Sequence, residues 1–488
     1  MSTPSPLGGR VSGSRLATIL GVWRRSGPHH GSADLAAAIE LQIHHGRLSP
    51  GTRLPAEREL TEALGVSRTL VGSALERLRS AGLVASRRGS GSWITVPTRS
   101  AGGLVVEEAE GLVDFARASP SAVPGLIAAV DAARDRLVEA LSGCGYSEHG
   151  VPALRERIAE RYTARGLPTS PAQVLITNGA HHAFVLALRM LAGPGDRVLV
   201  EQPSYPNGLT AIRAAHAIPV PVAMNCGWDL DGIEAALRQA APRLAYLIVD
   251  FQNPTGLRMG AEERARLGAA MVRARTPVVV DETLVELDLE GDPLDGPPPL
   301  AAFTGDGGSG NWAISVGSAA KTYWGGLRIG WIRASEDLLA RLVAARTALD
   351  LGSPVLEQLV VAELMSAPAD LMRTRRAEIA GLRDALLGAL HEYCPQWTFD
   401  VPSGGLSIWC ELPAPVGTRL AAAAVNHGLL IAPGSRFSVH GGFERWLRLP
   451  YALPPDRIVD AVRRLSMAAA SVREIGSPAA LGGDVQVT

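Results

Sequence analysis

The sequence predicts an α/β protein in two parts, a small helical module ending in a hairpin and a large body built on a mostly parallel sheet. Three observations carry this. Five continuous apolar runs, RVLVEQP, AYLIVDF, PVVVDE, WAISVGS and LRIGWI, recur between residues 197 and 332 among helical stretches, which suits strands buried on both faces. Residues 31–97 instead repeat apolar positions at helical spacing. Charge divides the same way: the first 100 residues hold 13 arginines against six acidic residues, and the remainder 34 basic against 42 acidic, although the net charge is only -1. A basic module on an acidic body suits a nucleic-acid reader joined to a separate domain, because phosphate neutralisation supplies most of the non-specific affinity.

With 488 residues and 47% hydrophobic content the chain can bury several cores. No apolar run reaches the roughly 18 residues of a membrane span, and the Ser/Pro/Gly-rich start lacks the charged-then-apolar order of a secretory signal. A cytoplasmic protein without membrane contact is expected. The cysteines Cys144, Cys226, Cys394 and Cys410 stand far apart without metal-ligand spacing and read as reduced thiols; no metal is expected.

Residues 1–30 are expected to be a disordered extension, and His29 and His30 lack a nearby ligand set. Residues 31–97 form the first domain. In it SADLAAAIELQIHHGRL, from Ser32, is a helix ending near Gly46, followed by the turn SPGTRLP. Pro55 opens AERELTEALG, with Gly65 at its end. Ser67 caps SRTLVGSALERLRSAGLV, whose Leu70, Val71, Ala74, Leu75 and Leu78 share one face. Arg68 and Thr69 then stand in the exposed first turn, where a recognition helix meets bases and phosphates. RRGSGSWITV reads as a strand-turn-strand wing, with Gly89 and Gly91 permitting the turn and Arg87 and Arg88 placed to touch DNA. Residues 98–111 lose periodicity and read as a linker, 112–475 form the body, and 476–488 read as a disordered tail.

The segment LPAEREL, GVSRT, ERLRSAGL and RRGSGSW, in that order, resembles the winged helix-turn-helix of the GntR family of bacterial regulators. The resemblance implies that Arg58, Ser67, Arg68 and Thr69 contact operator DNA, assisted by a wing around Arg87, Arg88 and Gly89.

Lysine occurs once, at Lys321, beside 46 arginines. A guanidinium fails chiefly where a primary amine must lose its proton and attack a carbonyl, so Lys321 is a candidate Schiff-base lysine. In parallel sheets chemistry gathers at the carboxyl ends of strands, and there stand Asn253, Asp281, Ser318 and Lys321. Each has a role if the cofactor is pyridoxal 5'-phosphate (PLP). Lys321 supplies the amine and Asp281 pairs with the pyridine nitrogen. Backbone N–H groups at Gly179, Ala180 and His181 cradle the phosphate at a helix N-terminus, with Ser318 and Arg328 adding a hydroxyl and a guanidinium. Tyr205 stacks on the ring.

The order TNGA, PSYP, NPTG, VVVDE, SAAKTYWGGLRIGW, RLPY resembles the class I aminotransferases, of PLP-dependent transferase fold type I with a smaller C-terminal α/β subdomain. The resemblance implies that Asn253 bonds the ring hydroxyl and the substrate, that Arg448 grips the substrate α-carboxylate, and that Tyr146 reaches the partner subunit's phosphate in a head-to-tail homodimer with shared sites. One departure stands out. Where that family places a tyrosine three residues beyond the aspartate, this chain has Leu284, leaving Glu282 or Thr283 to compensate; slower transamination is expected. Of His181 and His182, one is expected beside the ring or phosphate and the other packed in the helix.

Together the two matches resemble the MocR subfamily of transcriptional regulators. They imply a PLP-binding transcription factor whose body senses PLP, an amino-acid or amine effector, or both. The rival reading is a working aminotransferase with an accessory DNA-binding segment. Lys321, Asp281 and Arg448 favour it and Leu284 counts against it.

Overall fold

All five apolar runs become strands of one seven-stranded sheet. Its order is Val174–Thr177, Gly330–Arg333, Ala313–Ser318, Val278–Asp281, Leu244–Leu247, Arg197–Gln202 and Ile218–Ala223. Gly330–Arg333 runs antiparallel to both neighbours, and the pairings from Ala313–Ser318 through to Ile218–Ala223 are parallel. Helices cover both faces, so the central strands are buried throughout. The structure is a computed structural model and describes residues 10–21, 23, 31–44, 48, 52–80, 83–87, 91–94, 112–224, 226–305, 312–367 and 369–474. The chain divides into two units, Met1–Gly111 and Leu112–Thr488. The linker 98–111 and the tail 476–488 lie outside the described residues.

A second sheet of four short strands, ordered Thr398–Phe399, Ser407–Glu411, Trp446–Pro450 and Ala432–Pro433, forms the smaller subdomain of the body. Its antiparallel pairs put one face against the helices Ala369–Tyr393, Gly417–Val425 and Pro455–Glu474, where Ile379, Leu386, Leu420, Leu447 and Leu465 share a core. Val113–Asp114, the first strand of the body, pairs in parallel with Leu429–Leu430 of this subdomain. The chain then crosses to the large sheet, where Val123 N donates to Tyr323 O at 3.0 Å.

In the N-terminal unit the helices Gly31–His44, Glu57–Leu64 and Arg68–Ser80 follow the expected order. Gly65 closes the second in the left-handed region at φ 62°, and Ser67 Oγ accepts from Leu70 N at 3.2 Å to cap the third. Val71, Ala74, Leu75 and Leu78 of that third helix are buried, as the spacing requires. Strands Val84–Arg87 and Gly91–Ile94 pair antiparallel as the wing, Gly91 taking φ 80°.

The N-terminal extension needs a correction. Residues 13–20 form a helix, Gly13–Leu20, with Ser12 Oγ accepting from Arg15 N as its cap. Val11, Leu16 and Leu20 enter the same core as Leu60, Leu75 and Leu78. Gly13 N donates to Glu59 Oε1 at 2.8 Å, and a Cβ at Gly13 would lie 3.0 Å from that of Ala63, so the two helices approach closely. Leu16, Ile19 and Leu20 do stand at helical spacing, but one turn of it in a Ser/Gly-rich stretch is too short a periodicity to announce a helix. It is tertiary packing that stabilises so short a segment.

Leu16 is fully buried, so Leu16→Ala is expected to destabilise the N-terminal unit by about 2–5 kcal/mol. Urea unfolding of the full chain, followed by a probe in this unit, checks it; an unmoved transition would mean the helix does not belong to that core.

Candidate functional site

The site lies where the strand ends meet. Strand Ala313–Ser318 runs into the short helix Ala319–Thr322, whose first free N–H is taken by Ser318 Oγ, accepting from Ala320 N at 3.1 Å. This turn lifts Lys321 beside the end of strand Val278–Asp281. Lys321 is half-buried, and its Nζ donates to Ala118 O at 2.6 Å. Burial pushes its amine down to about 8, helped by the positive charges of Arg448, Arg328 and Arg117 and opposed by Asp281. An amine so placed gives up its proton far more readily than an ordinary lysine, as attack on a carbonyl requires.

Beside it the chain builds an anion cradle. Gly179 takes φ 88° and opens the helix Ala180–Leu191. Arg328, itself in the left-handed region at φ 54°, donates from a guanidinium nitrogen to Asn178 O at 3.3 Å. A Cβ on Gly179 would lie 2.7 Å from that nitrogen, and one on Gly330 would lie 2.5 Å from the Gly179 backbone. Two glycines thus let a strand and a guanidinium pass under a helix N-terminus, where the free N–H groups and the helix dipole favour an anion. The donors suit a phosphate and the amine suits an aldehyde, so the residues fit PLP.

Asp281 is held on both oxygens. Oδ1 accepts from Thr283 N at 3.0 Å and from the Thr283 hydroxyl, and Oδ2 accepts from Tyr246 O–H at 2.8 Å. Neither candidate substitute for the missing tyrosine is free for other work: Thr283 bonds Asp281, and Glu282 is buried the other way, accepting from Arg165 at 3.0 Å and Ser315 Oγ at 2.9 Å. Leu284 packs against the core of the smaller subdomain.

Arg448, from strand Trp446–Pro450, donates to Asn253 Oδ1 at 3.2 Å and to Ala116 O. Its guanidinium carbon stands 5.2 Å from the centre of the Phe437 ring, which fixes its plane. Burial pushes it down to about 10, with Arg436 adding to the effect and Tyr205 opposing it, and among the described residues its buried Nε has no hydrogen-bond partner. A buried cation with an unused donor is matched to a carboxylate.

Tyr205 caps the helix Pro206–Ala214, with its ring edge-on to that of His181 at 6.4 Å. His181 therefore lies on the site side of its helix, while His182 Nε2 stands 2.9 Å from Asp350. Burial lowers the pKa of both histidines, in His181 against the pull of Asp281. Tyr146 is exposed and lines an open cavity of about 500 Å³ with Asn178 and Arg328 of its own chain. Among the described residues no cluster of His, Cys, Asp or Glu has the makings of a metal site.

Sequence reasoning missed Tyr246. Inside AYLIVDF it reads as one more apolar strand residue, yet its strand is the immediate neighbour of the one that ends at Asp281. A tyrosine in a central strand needs a partner for its hydroxyl, and only the strand order says which.

On the N-terminal unit Ser67, Arg68 and Thr69 are exposed at the start of helix Arg68–Ser80, and Arg58 is exposed in the first turn of helix Glu57–Leu64. Arg68 Nε stands 3.6 Å from Glu57 Oε2, a surface pair that is weak enough to be exchanged for phosphate. The Ser67 hydroxyl serves as the helix cap. Arg88, Gly89 and the Arg87 side chain lie outside the described residues.

Comparisons with known proteins agree with this geometry. The profile of the family "Aminotransferase class I and II" matches residues 124–465, and that of "Bacterial regulatory proteins, gntR family" matches residues 32–94. The chain is 29% identical to the uncharacterized HTH-type transcriptional regulator YdcR of Escherichia coli strain K12, over 85% of this chain and 93% of that protein. It is 27% identical to the probable rhizopine catabolism regulatory protein MocR of Rhizobium meliloti, over 90% of this chain and 94% of that one. Among solved structures, LysN, an α-aminoadipate aminotransferase of Thermus thermophilus complexed with N-(5'-phosphopyridoxyl)-L-leucine, superposes with a TM-score of 0.69 at 30% identity, covering 78% of this chain and 97% of that one. The chain belongs to the class I and II aminotransferase family and carries a GntR-family DNA-binding domain at its N-terminus, the arrangement of the MocR-type regulators.

Proposed function

We propose that the protein is a transcriptional regulator that binds operator DNA through its N-terminal unit and holds PLP on Lys321, responding to the cofactor, to an amino acid or amine, or to both. The observation that carries this is the placement of the chain's sole lysine: a half-buried amine lowered to about 8, among cations and beside an anion cradle. LysN, which superposes on the body, was solved with a phosphopyridoxyl amino acid, which supports the same cofactor here.

When bound, PLP supplies an aldehyde for the amine and a ring able to accept electrons. The residues around it bind and orient. The N-terminus of helix Ala180–Leu191, with Ser318 and Arg328, holds the phosphate. Tyr205 would pack on the ring, Asp281 would pair with the ring nitrogen, and Asn253 would bond the ring hydroxyl. Arg448 receives the carboxylate of an amino-acid effector. Leu284 offers no hydroxyl for proton transfer, which favours binding over turnover. Tyr146, exposed at the rim, serves a head-to-tail homodimer in the cytoplasm, each subunit completing the other's site. Signalling requires the effector to prefer one arrangement of the dimer over another.

A working aminotransferase with an accessory DNA-binding domain is the second reading, favoured by the presence of Lys321, Asp281 and Arg448 together. Titrating amino acids and amines into the loaded protein separates the two: conversion of the visible band to the pyridoxamine form marks turnover, whereas a band that shifts or stays marks a sensor.

Three results are expected. Lys321→Ala should abolish the visible band of the bound cofactor while DNA binding stays measurable, and a variant that keeps that band would refute the assignment. Uptake of PLP by the wild type should quicken as pH rises and level off above about 8, because the depressed amine is protonated below that value and free above it. A rate that is flat through this range would contradict the lowered amine. Arg68→Ala should weaken operator binding by about 1–3 kcal/mol if it reads a base, and an unchanged affinity in a gel-shift titration would remove Arg68 from the interface.

A further inference from the structure

Two loops at the carboxyl edge of the large sheet carry Tyr205 and Asn253, and one buried side chain holds both. Gln252 uses each end of its amide. Nε2 donates to Pro203 O at 2.8 Å and to Glu201 Oε2 at 3.1 Å, while Oε1 accepts from Thr255 N at 3.0 Å and Thr255 Oγ1 at 2.8 Å. Pro203 lies two residues before Tyr205, and Asn253 follows Gln252 directly.

The anchor is Glu201, near the end of strand Arg197–Gln202 and buried. Its Oε1 accepts from Trp228 Nε1 at 2.6 Å and from Ile248 N at 3.1 Å. Burial pushes this carboxyl up to about 8 against the pull of its three donors. Among the described residues those donors are neutral, so losing one leaves a buried acceptor that is expensive to strand.

The contacts then run on into the smaller subdomain and return. Ser204 N donates to Phe437 O at 2.9 Å, and Val439 N donates to Gln202 Oε1 at 3.3 Å. The Phe437 ring supports Arg448, and Arg448 donates back to Asn253, the neighbour of Gln252. The circuit is closed.

We propose that Gln252, anchored on Glu201, is the positioning residue of this site: it touches neither cofactor nor effector, yet it sets Tyr205, Asn253 and, through Phe437, Arg448 together. The proposal rests on the PLP reading for what those three residues bind. The contact circuit stands apart from that reading.

The experiment uses the full chain. Gln252→Glu sets a carboxylate against Glu201 and removes the donor to Pro203 O. The double variant Glu201→Gln with Gln252→Glu again faces an amide donor to a carboxylate, and Gln at 201 still accepts from Trp228 and Ile248. The readouts are PLP affinity, circular dichroism of the bound-cofactor band, and hydrogen exchange at the amides of Ser204 and Val439. Gln252→Glu is expected to weaken PLP binding by about tenfold or more, as loss of one buried hydrogen bond implies, to change the dichroic band and to quicken exchange at both amides. The double variant relieves only the contact between residues 201 and 252 and leaves Pro203 O without its donor, so it is expected to recover part of the PLP affinity and of the dichroic band while exchange at Ser204 stays fast. If Gln252→Glu does not fold, Glu201→Gln alone, which sets amide against amide, should give the same signs at smaller amplitude.

A Gln252→Glu protein with wild-type affinity, dichroism and exchange overturns the proposal. So does one that loses only thermal stability, or a loss of PLP affinity of which the double variant recovers nothing. A wild type that takes up no PLP overturns the proposed function instead, and the exchange comparison still decides the circuit.

Discussion

The site depends on one close backbone contact, the passage of strand Gly330–Arg333 beneath the N-terminus of helix Ala180–Leu191. This strand is inserted antiparallel between Val174–Thr177 and Ala313–Ser318. The chain must therefore turn back sharply after the helix that bears Lys321, and the turn places Arg328 under Asn178. Neither Gly179 nor Gly330 can carry a Cβ in this arrangement. The anion cradle and the reactive amine are thus two consequences of a single reversal of the chain, and they stand in fixed relation because the strands on either side are fully buried.

Electrostatics decides what such a site can hold. Lys321, Arg328 and Arg448 crowd one pocket with Asp281 as their near counter-charge. Burial lowers the proton affinity of both Lys321 and Arg448, and in each a neighbouring arginine adds to the effect. Cations so arranged favour a ligand that brings its own negative charge, as a phosphate or an α-carboxylate does. Asp281 is meanwhile pinned by hydroxyls from its own turn and from the adjacent strand. The site is accordingly stiff around Asp281 and strongly cationic around Lys321, Arg328 and Arg448.

Much of this was legible beforehand. The five apolar runs announced the central strands because a strand covered on both faces needs no polar alternation. Two other elements were harder to read. Ile218–Ala223, IPVPVA, holds prolines that argue against a strand, and they are tolerated because it lies at the sheet edge. The helix Gly13–Leu20 was hidden in a stretch whose composition resembled an unstructured leader, and only the core formed by its neighbours stabilises it.

What the sequence by itself determined is the two-part organisation, the lone lysine at a strand end, and Gly179 and Arg328 as candidates for an anion cradle. These are local facts: a residue type, a spacing, a turn that only glycine can take. What only the tertiary structure decided is which polar groups meet. Tyr246 reaches Asp281 because their strands are neighbours, Thr283 rather than Glu282 joins it, and Gln252 reaches Glu201 across 51 positions of chain. The periodicity of a segment fixes which face of it is buried. The identity of a hydrogen-bond partner depends on the order in which distant strands assemble, and no local pattern records that order.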